Sequence, residues 1–141
     1  MMGKIQANQE SIPPHIGDID LSSNHLEGPV PTFLLQAFSL NLFSNKFSDI
    51  NSLCNFKSGS RLLFLDISYN QLSGEVPDCW SQVVGSSLRV LILVNNKLSG
   101  KIPSSVGFLT GMEILHLSNN NLTAELPSSL RNCTELVIFD V

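Results

Sequence analysis

The chain has 141 residues, of which 43% are hydrophobic and only 14% charged. It is therefore long and apolar enough to form one domain with a substantial core. Twelve acidic against eight basic residues give a formal net charge of −4, which argues against a nucleic-acid-binding or anionic-membrane-binding surface. No apolar run approaches the roughly 20 residues that a membrane-spanning helix needs. The first six residues lack the apolar region of a secretory leader.

The pattern Leu-x-Leu-x-x-Asn-x-Leu recurs five times along the chain, with other apolar residues at some leucine positions. Its asparagines, which we call the ladder asparagines, are Asn24, Asn45, Asn70, Asn96 and Asn120. They are separated by 21, 25, 26 and 24 residues, within the period of about 20–29 residues that leucine-rich repeats have. The pattern predicts a single repeat domain over residues 1–141, with about five full repeats and a partial repeat at each end.

Stacking of the repeats explains the residue type at each position. In Leu-x-Leu, two apolar side chains face the same side of a short strand, and parallel strands of successive repeats bury them as a continuous column. A buried asparagine can bond the backbone of neighbouring turns through its carbonyl oxygen and its two N–H donors. We therefore predict that the ladder asparagines have a structural role.

A Gly-x-(Val/Ile)-Pro segment follows the ladder asparagine in three repeats, at 28–31, 74–77 and 100–103. Glycine permits a positive φ, and proline fixes φ and removes a donor. These residues predict extended segments and short 3-10 helices on the convex side rather than full α-helices. The second repeat has Asp49 and Ser52 at the glycine and proline positions, so we expect it to be irregular.

The extended motif Leu-x-Leu-x-x-Asn-x-Leu-x-Gly-x-(Ile/Val)-Pro, seen at 65–77 and 91–103, resembles the plant-specific class of leucine-rich repeat. Segments 19–24, 73–80 and 128–134 resemble the ectodomains of plant receptor-like proteins, especially the group of the ethylene-inducing xylanase receptor. The resemblance implies an α/β leucine-rich repeat solenoid with a parallel β-sheet on the concave face. It also implies recognition of a protein or peptide ligand, microbial proteins included, at the extracellular face of the plasma membrane. Members of that family signal through a partner receptor kinase, and the resemblance implies a role in defence.

Both ends of the chain fall inside repeats. Gly3-Lys4-Ile5 matches the positions of 28–30, and Leu136, Phe139 and Val141 match the apolar strand positions of a further repeat. Because solenoids normally carry terminal caps, we expect uncapped ends, as in an internal piece of a longer receptor or a truncated gene product. Two other possibilities stay open: a soluble protein similar to polygalacturonase inhibitors, and a non-signalling gene fragment.

Two of the three cysteines, Cys54 and Cys79, lie nine residues after the ladder asparagines of adjacent repeats. Strands stacked about 4.8 Å apart bring such positions within disulfide distance. We therefore predict a disulfide, and with it an oxidising compartment; two buried thiols are the alternative. Cys133 is predicted to be a small core residue. The sequons at Asn121 and Asn132 predict N-glycosylation, with chance occurrence as the alternative and Asn121 the better placed.

Ligand binding in such solenoids uses the variable side chains between the buried leucines of the concave face. We predict an exposed apolar strip there, with polar anchors beside it, and such a strip indicates a protein interface. Half-burial of the strip against the strand edge is the alternative. The predicted ligand-binding residues are Phe64, Asp66, Tyr69, Val90, Ile92, Val94, Ile114 and His116. Asp18, Asp20 and Asp66 either follow repeat consensus or form an acidic patch for a basic ligand.

The sequence contains no catalytic or metal-binding pattern. The histidines are isolated, the cysteines lack metal-ligand spacing, and there is no nucleophile elbow, phosphate loop or dinucleotide-binding motif. A sheet surface open to water also offers nothing to activate a carboxylate. We therefore expect a binding module without metal or cofactor rather than an enzyme. Trp80 is expected to pack on the convex side.

Overall fold

The computed structural model of the protein describes residues 2–3, 16–56, 60–85 and 87–141. Its main sheet consists of six short parallel strands. These are β2 Ile16–Asp20, β4 Ala37–Asn41, β6 Phe64–Asp66, β8 Val90–Ile92, β10 Ile114–His116 and β12 Ile138–Asp140. They lie side by side in chain order, so each repeat adds one strand to the sheet, as the sequence predicts.

Alternation along each strand places one residue in the core and its neighbours on the opposite face. In β6, β8 and β10 a buried leucine lies between two half-buried residues. These leucines, Leu65, Leu91 and Leu115, are paired in register, and Phe139 continues the row opposite Leu115. The predicted apolar column is therefore present behind the sheet.

Short strands after the ladder asparagines form two further parallel sheets beside the main one. They are β1 Met2–Gly3, β3 His25–Pro29, β5 Lys46–Asp49, β7 Ser73–Glu75, β9 Lys97–Gly100 and β11 Asn121–Leu122. One sheet contains β1, β3 and β5, and the other contains β7, β9 and β11. The sequence predicts that these segments are extended, but it does not reveal that they pair as sheets.

Glycine is used in these flanking strands for its backbone conformation. Gly28, Gly74 and Gly100 have φ values of 83°, 79° and 76°, which glycine adopts without steric cost. Gly3 pairs with Leu26 in the way that Gly74 pairs with a leucine of the next repeat. Lys4 and Ile5, the rest of that sequence match, lie outside the described residues.

The second repeat is irregular, as Asp49 at its glycine position predicts. The register between β3 and β5 shifts at Pro29, which lies opposite Asp49. Among the described residues β5 and β7 do not pair as strands, so the flanking sheet is interrupted between them. The N–H of Gln71 still donates to the carbonyl oxygen of Phe47 at 2.9 Å across this junction.

The convex side carries short helical turns, as predicted. The 3-10 helices are Thr32–Gln36, Asn51–Asn55, Ser104–Phe108 and Ser128–Asn132, and a single α-helical turn, α1, covers Trp80–Val83. An extended proline precedes three of the 3-10 helices, at Pro31, Pro103 and Pro127. Trp80 is only 3% exposed and belongs to the hydrophobic core, so it packs on the convex side as expected.

Candidate recognition face

The open face of the main sheet presents three rows of side chains that cross the strands. Strand pairing aligns the first row, Asp18, Ser39, Phe64, Val90, Ile114 and Ile138, and the second row, Asp20, Asn41, Asp66, Ile92, His116 and Asp140. The third row, just beyond the strand ends, is Ser22, Phe43, Ser68, Val94 and Ser118. We call these three rows the concave face.

The structure brings most of the predicted ligand-binding residues together on this face. In the first two rows the predicted residues on β6, β8 and β10 are direct neighbours, whereas Val94 is the one predicted residue of the third row. The apolar strip of Phe64, Val90, Ile92, Val94 and Ile114 is half-buried rather than exposed. Of the two alternatives that the sequence leaves open for this strip, full exposure and half-burial, the structure agrees with half-burial.

Tyr69 and Phe43 form an aromatic pair at the carboxyl ends of β6 and β4. Their ring centroids are 5.3 Å apart and their planes are inclined at 57°, a tilted geometry that aromatic rings favour. Tyr69 is 53% exposed and Phe43 36%. Phe43 was missed among the predicted binding residues, although a bulky side chain at a position that is mostly serine was a usable signal.

The backbone of Tyr69 is unusual for an aromatic residue. Its φ is +56°, in the left-handed region that bulky residues seldom occupy. The residues before the other ladder asparagines have φ of 56° to 60° and are Ser23, Ser44, Asn95 and Asn119. The turn is thus common to all five repeats, whereas the aromatic side chain is particular to the third.

The polar residues of the second row support the turns that follow them. Asp20, Asn41 and Asp66 each accept, through Oδ1, the backbone N–H two residues later, at 2.9, 3.0 and 2.9 Å. The Ser22 hydroxyl and backbone N–H lower the pKa of the Asp20 carboxyl, because they stabilise its charged form. These contacts give the aspartates the structural role that repeat consensus implies.

The ladder asparagines connect the backbones of neighbouring repeats. Asn70 donates through Nδ2 to the carbonyl oxygens of Leu42, Ile67 and Ser68, at 2.9, 3.2 and 3.1 Å. Its Oδ1 accepts the N–H of Phe47 at 2.9 Å. Asn45, Asn96 and Asn120 make the same inter-repeat pattern. The bonds of Asn24 include donation to the carbonyl oxygens of Leu21 and Ser22.

Cys54 and Cys79 form a disulfide on the convex side, with their Cα atoms 5.6 Å apart. It joins the 3-10 helix of the second repeat to the residue that precedes α1. Cys133 is a buried free thiol, with Sγ 3.5 Å from the carbonyl oxygens of Gly107 and Leu109. Burial raises the pKa of the Cys133 thiol, because desolvation disfavours the thiolate.

Both sequon asparagines are accessible to solvent. Asn121 lies in β11, Asn132 lies at the end of the last 3-10 helix, and both side chains are exposed. Thr123 and Thr134 are exposed as well. The sequence favours Asn121 over Asn132, but exposure in the structure does not separate the two.

An open groove of about 470 Å³ lies on the flank of the solenoid, away from the predicted binding residues. It is lined by Val76, Ile102 and Leu126, with Lys101 and Glu125 at its rim in a 3.5 Å ion pair. Within the described part of the chain, no cluster of His, Cys, Asp and Glu could hold a metal ion. None of the described helices is long and apolar enough to cross a membrane.

Comparison with known proteins identifies the repeat. The sequence profile of the Leucine Rich Repeat family matches residues 61–83, 87–109 and 111–133. The chain is a leucine-rich repeat solenoid. It resembles the ectodomain of the plant membrane receptor kinase GASSHO1/SCHENGEN3 from Arabidopsis thaliana, solved with CASPARIAN STRIP INTEGRITY FACTOR 2. That match has a TM-score of 0.81 and 31% identity, and covers 97% of this chain and 16% of the other.

Two further relatives of the solenoid are plant receptors. It is 43% identical over 74 residues to Receptor-like protein EIX2 of Solanum lycopersicum, a match covering 52% of this chain and 7% of that protein. It also matches the Arabidopsis receptor kinase HAESA, solved with the peptide hormone IDA and the co-receptor SERK1. There the TM-score is 0.76 and the identity 32%, over 91% of this chain and 22% of HAESA. The solenoid thus spans a small part of each relative.

Proposed function

We propose that the solenoid is an extracellular recognition segment of a plant cell-surface receptor-like protein, and that it binds a protein or peptide ligand on its concave face. The observation that carries the proposal is the contrast between the two sides of the main sheet. The buried row of β6, β8 and β10 is leucine throughout, whereas the first two rows of the concave face change from repeat to repeat. A constant scaffold with a variable surface is the arrangement by which repeat proteins bind partners.

The relatives and the covalent chemistry support this assignment. HAESA was solved with a peptide hormone and a co-receptor, which supports a peptide or protein ligand and a partner receptor kinase for the full-length protein. EIX2 is named a receptor-like protein, in agreement with a role in perception at the cell surface. The Cys54–Cys79 disulfide fits an oxidising extracellular compartment.

The test is selection of peptides on the immobilised 141-residue chain, secreted from insect cells, from a phage-displayed library of random 12-residue peptides. Selected peptides are then measured against two variants that each add one lysine. Ile92→Lys changes the concave face. Leu126→Lys changes the flank groove at a residue that is also apolar and partly exposed. Circular dichroism checks that both variants retain the wild-type spectrum and unfolding midpoint.

We expect Ile92→Lys to weaken the selected peptides at least tenfold and Leu126→Lys to leave them unchanged. The proposal is overturned if the selected peptides are insensitive to Ile92→Lys, or if no peptide is enriched. Peptides weakened by Leu126→Lys alone would also overturn it, and would assign binding to the flank groove.

A further inference from the structure

The concave face has two chemically different halves. On β2, β4 and β6 the second row is Asp20, Asn41 and Asp66; it continues with Ile92 and His116 on β8 and β10 and ends with Asp140 on β12. Val90, Val94 and Ile114 of the other rows lie beside Ile92 on the apolar part. None of the seventeen positions in the three rows carries Lys or Arg. The face therefore presents acidic and polar groups over β2 to β6 and mainly aliphatic groups over β8 and β10.

The two carboxylates are held in place by the turns that follow them, and Asp66 keeps one oxygen available. Oδ1 of Asp20 accepts the N–H of Ser22, and Oδ1 of Asp66 accepts both the N–H and the hydroxyl of Ser68. Among the hydrogen bonds of the described residues, none is made to Oδ2 of Asp66, since both of its bonds go to Oδ1. Because the turn fixes this carboxylate, the second oxygen can accept a bond from a ligand without reordering the side chain.

The aromatic pair lies just beyond the carboxyl ends of β4 and β6, and Asp66 is the last residue of β6. Phe43 follows Asn41 by two residues, and Tyr69 follows Asp66 by three, at the same ends of neighbouring strands. Their exposed rings, inclined at 57°, offer π-faces to a cation. No basic side chain of the three rows competes for them; Lys46 and Lys97 lie on the flanking strands β5 and β9.

We propose that this half of the face binds a basic side chain, Arg or Lys, of an extracellular protein or peptide ligand, held by the Asp66 carboxylate and the Phe43–Tyr69 pair. An apolar side chain of the same ligand packs on Val90 and Ile92. This inference rests on the proposed function and names the ligand class for that same face. The occupant follows from charge complementarity, since an acidic and aromatic surface of this kind favours a cation.

Strand spacing sets the separation of the two ligand side chains. Neighbouring strands are about 4.8 Å apart, so the middle of β4 and β6 is about 7 Å from β8, which carries Val90 and Ile92. An extended peptide advances about 3.3 Å per residue and turns every second side chain to the same side, so two residues cover this distance with both side chains facing the sheet. Ligands should therefore carry a basic residue and an aliphatic residue two positions apart, in either order along the peptide.

The peptides selected from the random 12-residue library test this inference with two conservative variants. Tyr69→Asn removes the ring but keeps a residue that adopts the same turn, as Asn95 and Asn119 do with φ of 57° and 59°. Asp66→Asn removes the charge but keeps the Oδ1 acceptor, as Asn41 does in the neighbouring repeat. Glu125→Gln, on the flank, is the matched control for loss of one negative charge.

We expect the selected peptides to be enriched in Arg or Lys two positions from an aliphatic residue. Tyr69→Asn and Asp66→Asn should each weaken them about fivefold to tenfold, and Glu125→Gln should leave them unchanged. Affinity should also fall as NaCl rises from 50 to 500 mM, because salt screens exposed charges.

The inference is overturned if the selected peptides are neutral or acidic, or if Tyr69→Asn and Asp66→Asn leave affinity unchanged. If those same peptides are still weakened by Ile92→Lys, the proposed function stands and only the ligand class is wrong. If no peptide depends on Ile92 either, both proposals are wrong.

Discussion

Removing one ladder asparagine should destabilise the solenoid by an amount that its hydrogen bonds define. Asn70→Ala deletes three donated bonds and one accepted bond. The three carbonyl oxygens each keep another donor, from Asn45, Asn96 and Ser44. The N–H of Phe47 is different, because it loses its acceptor in a buried position.

The expected loss follows from these two classes of group. An orphaned buried donor costs about 1–3 kcal/mol, and the space left by the shortened side chain adds to it. We expect Asn70→Ala to lower the free energy of unfolding by about 2–4 kcal/mol. For a chain of this length that corresponds to a fall in Tm of roughly 10 °C. Urea titration followed by circular dichroism gives the difference through linear extrapolation.

Asn121→Ala is the matched control, because Asn121 is exposed and follows a ladder asparagine directly. Surface changes of this kind stay within about 0.5 kcal/mol. Asn120 is a partly buried ladder asparagine, so the loss of stability in Asn120→Ala should lie between the losses in Asn70→Ala and Asn121→Ala. If Asn70→Ala costs no more than Asn121→Ala, the ladder bonds do not stabilise the stack and the reasoning is wrong.

Replacing Cys54 and Cys79 together by alanine frees a loop of 25 residues and should lower the free energy of unfolding by about 3.5 kcal/mol in the same urea titration. An equal loss of stability after reduction of the wild-type protein would show that the disulfide bond, and not the alanine side chains, causes the effect. Gly107→Ala makes the added Cβ overlap the backbone of Ser129 in the next 3-10 helix and should cost about 1–3 kcal/mol, whereas Gly17→Ala, with nothing within 4 Å, should be neutral; equal effects would contradict the close approach. Cys133 should react with Ellman's reagent at pH 8 only on unfolding. Since burial raises the pKa of its thiol, stability should fall as pH rises above the unfolded value of about 8.5, and this fall should be absent in Cys133→Ala.

Features that recur at the same position of successive repeats can be predicted from the sequence. Contacts that depend on the length and orientation of individual side chains cannot. Leu65, Leu91 and Leu115 share one phase, so their burial follows from the pattern; the same logic places Cys54 beside Cys79. The contact between Phe43 and Tyr69 joins different phases of adjacent repeats, and no periodic pattern reports it. Half-burial of the apolar strip likewise depends on how neighbouring side chains lean, which is a matter of packing.

Pairing of the flanking strands was missed for a related reason. In this pairing, Gly74 lies opposite Leu98. It does not lie opposite Gly100, which occupies the same repeat position as Gly74. Partners are thus offset by two residues along the repeat. Extended backbone can be predicted from glycine and proline, whereas the offset depends on how far the chain turns after the ladder asparagine.

The interruption of the flanking sheet between β5 and β7 coincides with the only disulfide in the described part of the chain. In a linear array, cooperativity depends on the coupling between neighbours, and the array divides at its weakest interface. The main sheet continues across the junction of the second and third repeats through β4 and β6, but strand pairing on the flank is missing there, so we expect the array to divide first at this junction. The Cys54–Cys79 bond bridges the junction, and we expect its reduction to make unfolding less cooperative.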